Sequence, residues 1–196
     1  MAAVVWPASM DTPLQVGSDY LFAVDATNAY VWLRPTRAIQ ALSLATGMAT
    51  TLLEEEKSTS WILVDGFIYF AGDYDLMKRV AVTGGMPERL HQGHNILWAP
   101  GVDGTQLYYG GSNILVKIDG MNEQYLMQGS MGFIERIVPQ GDLLLWEGWQ
   151  GAVGFVSKDG SRCGTVIDSL FGFAGWDHDE TSFYLATEDA IYQVPY

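Results

Sequence analysis

Apolar and polar residues alternate along this chain in short runs that end in turns, a pattern typical of β-strands. One motif recurs five times: an apolar run, a turn centred on Asp or Gly, and an aromatic-rich run. Its copies are FAVDATNAYVW, WILVDGFIYFAG, APGVDGTQLYYGG, RIVPQGDLLLWEG and GWDHDETSFYLAT, which start at Phe22, Trp61, Ala99, Arg136 and Gly175. Their anchor positions are Tyr30, Tyr69, Tyr108, Leu144 and Tyr184, at spacings of 39, 39, 36 and 40 residues. A repeat of about 40 residues is typical of four-stranded propeller blades.

A third and a fourth run complete each repeat, except that the last repeat ends after its third run. The missing fourth run has its counterpart at the N-terminus, where Leu14 lies 39 residues before the matching Leu53. We therefore predict one all-β domain, residues 1–196, folded as a five-bladed β-propeller whose N-terminal strand closes the last blade. The predicted blades are 20–60, 61–95, 96–133, 134–173, and 174–196 together with 12–17.

Two alternatives to this interpretation are a β-sandwich and helices in two of the segments. A β-sandwich of generic hairpins would use the same strand-forming residues, although five copies in fixed order favour the propeller. The segments ALSLATGMATTLLEEEK and ERLHQGHN have some helical character, but both fall in repeat phase as strands. We expect strands in both.

The segment AVDATNAYVW, and more weakly LVDGFIYF and GVDGTQLYYG, resemble the strand signature of YWTD-like and TolB-like propeller repeats. The downstream MKRVAVTGGMPERL is similar to the third and fourth strands of those families. The resemblance implies a propeller and covers nearly the whole chain, but it carries no catalytic residue across. The chain departs from the pattern at Leu144, which stands in place of the anchor tyrosine.

Charge and cysteine content narrow the possible partners. With 23 acidic and 10 basic residues the formal net charge is −13, which disfavours nucleic acid and anionic membrane surfaces. The single cysteine, Cys163, forms no intrachain disulfide, and the N-terminus lacks a basic region followed by an apolar run. These features favour a monomeric cytoplasmic protein, without a membrane span, that binds a neutral or basic partner.

Unusual residues concentrate in the loops expected on one propeller face. Exposed tryptophans beside acids and amides are typical of sugar recognition, because an indole covers the C–H face of a pyranose. We expect Trp149, in the glycine-flanked EGWQG loop, to be exposed, although most propeller tryptophans pack between blades. The candidate ligand-binding residues are Trp149, Glu147, Gln150, Trp32, Asp73, Tyr74, Trp61 and Trp176.

No motif indicates catalysis, a metal or a cofactor. His91 and His94 have HxxH spacing but lack the general-base Glu of HExxH, and His178 lies in an acidic turn. Solvated turn histidines are the better interpretation. The first hypothesis is thus a non-enzymatic module that binds a carbohydrate, another small ligand or a protein. A small hydrolase or lyase with an acidic and histidine site near the axis, and a scaffold without a ligand, remain alternatives.

Overall fold

The computed structural model separates into two compact units, Met1–Gln92 and Gly93–Tyr196, each described by itself below. The structure describes residues 4–5, 14–15, 20–54, 58–72, 76–93, 99–119, 122–167, 173–179, 181–187 and 190–195. The first unit ends at the last residue of the final strand in the second predicted blade. The single-domain organisation stays a prediction.

The first unit contains two four-stranded antiparallel sheets in which each strand pairs with the next along the chain. The first sheet consists of β3 (Tyr20–Val24), β4 (Asn28–Leu33), β5 (Ala38–Ser43) and β6 (Ala49–Leu53). The second consists of β7 (Ser58–Val64), β8 (Phe67–Gly72), β9 (Leu76–Ala81) and β10 (Glu88–Gln92). Two short strands, β1 (Val4–Val5) and β2 (Leu14–Gln15), form a separate antiparallel pair.

The second unit contains a six-stranded and a three-stranded antiparallel sheet. The larger consists of β11 (Ala99–Asp103), β12 (Gln106–Asp119), β13 (Asn122–Gln140), β14 (Leu143–Gly148), β15 (Ala152–Ser157) and β16 (Cys163–Ile167). The smaller consists of β17 (Phe173–His178), β18 (Ser182–Thr187) and β19 (Ile191–Pro195). In the described part of the two segments with helical character, the chain forms the strands β5, β6 and β10, as predicted.

Although β12 is continuous from Gln106 to Asp119, the chain reverses direction within it, so that β12 forms both arms of a hairpin. Its first half pairs with β11 and its second half with β13. The side chain of Gln106 donates a hydrogen bond to the carbonyl oxygen of Ile118, twelve residues later, so the chain must reverse between them. Asn113 marks this reversal with a φ of 61°, in the left-handed region that asparagine tolerates better than most residues.

Most of the anchor positions are core residues, whose large side chains pack among the buried apolar residues of the sheets. Tyr30, Tyr69, Tyr108 and Leu144 are at most 5% exposed, whereas Tyr184 is half-buried. Tyr30 packs in a first-unit cluster with apolar residues of β5, β8 and β9, and Tyr108 packs in a second-unit cluster with Leu144. The predicted strand phase is therefore confirmed at four of the five anchors.

Two turns share one hydrogen-bonding pattern that follows from the sequence D-x-T-[NS]-x-Y. Asp25 accepts hydrogen bonds from the Thr27 amide at 2.7 Å and from the Tyr30 hydroxyl at 2.6 Å. Asp179 accepts the equivalent bonds from Thr181 and Tyr184, both at 2.7 Å. A carboxylate that bonds the backbone two residues later is the usual device for closing such a turn. The motif thus fixes where β3 turns into β4 and β17 into β18.

These sheets establish an all-β, propeller-like fold but not a blade count of five, because the described residues form four sheets of three or more strands. In the predicted closing segment 12–17, only Leu14–Gln15 is described, and it pairs with Val4–Val5. The rest of that segment lies outside the described residues. Closure of the last blade by this segment stays a prediction.

No helix in the described part of the chain has the length and apolar character that a membrane crossing needs.

Candidate ligand-binding site

The EGWQG loop presents Trp149 at the end of β14. Along β14, Trp146 is buried at 1% exposure, and the next residue, Glu147, is half-buried. The chain then forms a short 3₁₀ helix, Trp149–Gly151, which ends in a glycine with a φ of 76° before β15 begins. Trp149 is 58% exposed, as predicted from its glycine-flanked position.

Glu147 is joined to Trp176, which lies 29 residues later on β17. The indole Nε1 of Trp176 donates a hydrogen bond to Glu147 Oε2 at 2.6 Å. Trp176 is 7% exposed and packs against Phe183, with ring centroids 5.6 Å apart. A bond to a carboxylate is one of the stronger kinds of hydrogen bond, so it ties the EGWQG loop to the three-stranded sheet.

Arg136 contacts the same indole. Its guanidinium carbon lies 4.8 Å from the centroid of the Trp176 ring, within the range of a cation–π contact. Its Nη1 also donates to the carbonyl oxygen of Trp176 at 3.4 Å. Arg136 pairs directly with Glu147 across β13 and β14. Arg136 thus contacts Trp176 from the strand position opposite Glu147.

A second carboxylate, Glu135, lies in a bulge of β13. Ile134 pairs with Gly148 and Arg136 with Glu147, and the register shifts between them, which leaves Glu135 as the extra residue. Partial burial and the nearby charge of Glu147 both raise the pKa of Glu135 above its usual value. The bulge therefore places two like charges next to the residue that precedes Trp149.

Asn113 and Gly132 support this loop from the neighbouring strands. The Asn113 side-chain oxygen accepts a hydrogen bond from the Gly132 amide at 2.9 Å. A Cβ atom on Gly132 would lie 3.9 Å from the Cβ of Trp149, which is ordinary contact distance, and Gly132 has a φ of 70° that favours glycine. Gly132 thus lies close to the Cβ atom of Trp149.

The remaining candidates fall in the first unit or outside the described side chains. Trp32 and Trp61 are half-buried, with ring centroids 5.1 Å apart, and Phe22 stacks 5.6 Å from Trp61. Asp73 and Tyr74 lie outside the described residues. Gln150 is described only as part of the 3₁₀ helix. The structure thus brings together Glu147, Trp149 and Trp176 as one group and Trp32 with Trp61 as another, and it does not test ligand binding at either.

The other kinds of site to consider among the described residues are a metal site, a histidine site and a cavity. Among the described residues no group of three or more His, Cys, Asp or Glu side chains could hold a metal ion. His91 is buried, at 5% exposure, because it lies in the strand β10, so its interpretation as a solvated turn histidine is wrong. His94 and the side chain of His178 lie outside what the structure describes. An open cavity of about 280 Å³ is lined by Asp142, Ser157, Lys158, Asp159, Ser161 and Arg162, separate from the candidate residues.

Sequence reasoning missed Arg136 and Glu135. The position of Arg136 could have been found by counting outward from the Gly141–Asp142 turn, because a two-residue turn pairs it with Glu147. The bulge at Glu135 leaves no comparable signal in the sequence.

Comparisons with known proteins agree on the fold alone. No family model matches the chain, and no curated protein is similar to it. The structure resembles a YWTD β-propeller, that of nidogen in the crystal structure of a nidogen/laminin complex. The TM-score is 0.71 and the identity 13%, over 94% of this chain and 79% of that chain.

Two further solved structures are similar over more limited shares of their own length. A structural genomics protein of unknown function from Bacteroides thetaiotaomicron VPI-5482 has a TM-score of 0.64 and 16% identity, over 86% of this chain and 52% of that one. The computationally designed Ika8 protein has a TM-score of 0.57 and 13% identity, over 87% and 56%. The chain spans about half the length of these two structures.

Proposed function

We propose that this protein is a non-enzymatic binding module whose ligand contacts the exposed face of Trp149. The observation that carries the proposal is the contrast between two tryptophans of one site. Trp176 is buried, bonded to Glu147 and stacked under Arg136, whereas Trp149 is 58% exposed. Large exposed aromatics on a rigid support are typical contact residues in binding sites, because a stacked ligand removes their apolar surface from water.

The support beneath Trp149 favours binding over simple exposure. The bond between Glu147 and Trp176 and the bulge at Glu135 fix the strand that leads into the 3₁₀ helix. A contact residue held by such neighbours loses little conformational entropy when a ligand binds. The flat indole suits a pyranose ring, another small ligand or a side chain of a protein partner. The similar propeller in the nidogen/laminin complex supports a role in binding or as a scaffold.

The test is a screen of the wild-type protein and of Trp149→Ala on a glycan array and a peptide array. Tyr125→Ala serves as the matched control, because Tyr125 is another exposed aromatic of the second unit, at 42% exposure. We expect at least one ligand to bind the wild type and the control but not Trp149→Ala. Binding that is unaffected by Trp149→Ala, or no binding to either array, contradicts the proposal.

We also propose that the sheets are blades of a five-bladed ring closed by residues 12–17 against β19. The three-stranded sheet β17–β19 supports this, since the two sheets that match the first and second predicted blades have four strands. Ile191 and Tyr192 of β19 are 74% and 50% exposed, which is unusual for large apolar residues next to a sheet edge. A strand added to β19 would pair its free edge and cover part of each side chain.

A further inference from the structure

We propose that the Asp65–Gly66 pair is a site of spontaneous covalent modification, at which Asp65 isomerises to isoaspartate. Asp65 lies in the first unit, whereas Trp149 of the proposed binding site lies in the second, so this site is independent of it. Asp-Gly pairs occur at four places in the chain, which begin at Asp65, Asp103, Asp119 and Asp159. Of the three pairs that the structure describes in full, the first alone has both reacting groups free of contacts.

The isomerisation needs only the two residues of the pair and water. The Gly66 amide nitrogen attacks Cγ of the protonated Asp65 carboxyl group and forms an N–C bond, while the amide proton and the carboxyl hydroxyl leave as one water molecule. A second water molecule then opens the succinimide ring. Opening at the main-chain carbonyl leaves the chain running through the Asp65 side chain, and opening at Cγ restores aspartate. Glycine favours the attack because no Cβ atom shields its nitrogen.

Asp65 and Gly66 form the whole loop of a tight hairpin. Val64 pairs with Phe67 across β7 and β8, so only these two residues turn the chain. Their φ values are 48° and 77°, and positive values at both positions are typical of a type I′ turn. Both residues are exposed, and a Cβ atom on Gly66 would meet no described atom within 4 Å. Water therefore reaches both reacting groups.

The Asp65 carboxylate and the Gly66 amide are not engaged by other groups. Within the described part of the chain, the carboxylate accepts no hydrogen bond and forms no ion pair, and the amide has no acceptor. The loop is held instead through the Gly66 carbonyl oxygen, which accepts a hydrogen bond from the Val82 amide at 3.0 Å. This bond anchors the loop without occupying either group that reacts.

The Asp103 carboxylate, by contrast, is paired. Asp103 is the last residue of β11 and pairs with Gln106, so it lies before the turn rather than within it. Its carboxylate forms an ion pair with Lys158. A neighbouring cation favours the ionised carboxylate, and the ionised form lacks the hydroxyl group that must leave. The ion pair therefore slows isomerisation at Asp103.

The Asp159–Gly160 pair is engaged at both of its reacting groups. The Asp159 carboxylate accepts hydrogen bonds from the Ser157 hydroxyl at 2.6 Å and from the Ser161 amide at 2.9 Å. These hydrogen bonds hold the pKa of the Asp159 carboxyl well below its usual value. The Gly160 amide donates to the Ser157 carbonyl oxygen at 2.8 Å. Neither the protonated carboxyl nor a free amide nitrogen is thus readily available.

Isomerisation at Asp65 changes the hairpin that this residue closes. An isoaspartyl residue adds one methylene group to the main chain, and the loop of a hairpin sets the register of its strands. The register of β7 and β8 places Tyr69 opposite Ile62, and Tyr69 is 5% exposed. The modification therefore acts on the core of the second four-stranded sheet, and we expect modified molecules to melt at a lower temperature.

The test follows uptake of ¹⁸O from labelled water by the folded protein at neutral pH, measured by mass spectrometry of its peptides. Each passage through the succinimide adds ¹⁸O at the aspartate concerned, and the isoaspartyl peptide separates from its aspartyl form by chromatography. We expect uptake to be fastest at Asp65, about twofold to fivefold slower at Asp103, as one exposed ion pair allows, and slowest at Asp159. A rate at Asp65 that does not exceed the other two overturns the inference.

The chain unfolded in guanidinium chloride is the control for sequence. The three sites then share only the Asp-Gly pair, so we expect their rates to converge, and an order that persists after unfolding also refutes a structural cause. Lys158→Met is the matched variant, because it removes the partner of Asp103 and lies in the other unit from Asp65. We expect uptake to rise by about twofold to fivefold at Asp103 and to stay the same at Asp65. An unchanged rate at Asp103 would contradict protection by the ion pair.

Discussion

Replacing Tyr30 with Phe tests the turn that links β3 to β4. Tyr30 is fully buried, and its hydroxyl donates a hydrogen bond to Asp25 Oδ2 at 2.6 Å. Phe keeps the ring and its contact with Phe22, at 6.5 Å between centroids, and removes only the hydroxyl. A hydrogen bond to a charged group contributes about 1.5–3 kcal/mol, so Tyr30→Phe should lower the free energy of unfolding by about that amount at pH 7.

The same substitution should also change how stability depends on pH. Burial alone would raise the pKa of the Asp25 carboxyl, but the hydrogen bonds that it accepts outweigh burial and hold that pKa at about 2. A carboxyl with a depressed pKa stabilises the fold above its unfolded pKa of about 3.9, and this contribution is lost as the pH falls toward 2. Removal of the Tyr30 hydroxyl weakens this effect, so the two proteins should converge in stability at acid pH.

The assay is urea unfolding of wild type and variant between pH 7 and pH 3. Tyr184→Phe is the matched control, because Tyr184 makes the equivalent bond to Asp179 but is only half-buried, and we expect a smaller loss. The reasoning is refuted if Tyr30→Phe costs less than about 0.5 kcal/mol at pH 7, or if the difference from wild type grows as the pH falls.

Three further substitutions or truncations test the fold. Tyr69→Ala should cost about 3–5 kcal/mol in urea unfolding, because the side chain is 5% exposed; a loss below about 1 kcal/mol would show a misplaced strand phase. Gly110→Ala should cost about 1–3 kcal/mol, because its Cβ would lie 2.5 Å from Cγ2 of the buried Ile134, whereas Gly129→Ala, with open space around it, should cost nothing. Deletion of residues 1–18 should lower the melting temperature by exposing β19, and an unchanged melting temperature would contradict the closed ring.

Much of the fold was predictable because it depends on local signals. The anchors at Tyr30, Tyr69 and Tyr108 follow from the repeat, and the Asp25 turn follows from a motif that closes on its own backbone. The sequence cannot show which sheets join, because β12 and β13 continue through positions where separate strands were expected. Such continuity depends on contacts between repeats rather than within them.

The candidate site was predictable only in part. The flanking glycines indicated exposure of Trp149, and the structure confirms it. The bond from Trp176 to Glu147 was not predictable, because it joins strands 29 residues apart whose relative placement no local pattern fixes. Trp32 and Trp61 were also candidate contact residues, yet they pack against each other. Composition therefore identifies candidate aromatics, and packing separates contact residues from core.

The most direct test of the proposed binding module is ¹⁹F NMR of protein labelled with 5-fluorotryptophan. The chain has seven tryptophans, and single Trp→Phe variants at positions 149, 176, 32 and 61 each assign one resonance by its loss. On addition of the tightest-binding array ligand, we predict that the Trp149 resonance shifts most, while that of the buried Trp176 moves little. A spectrum in which the Trp149 resonance is unchanged while Trp32 or Trp61 shifts would contradict the account.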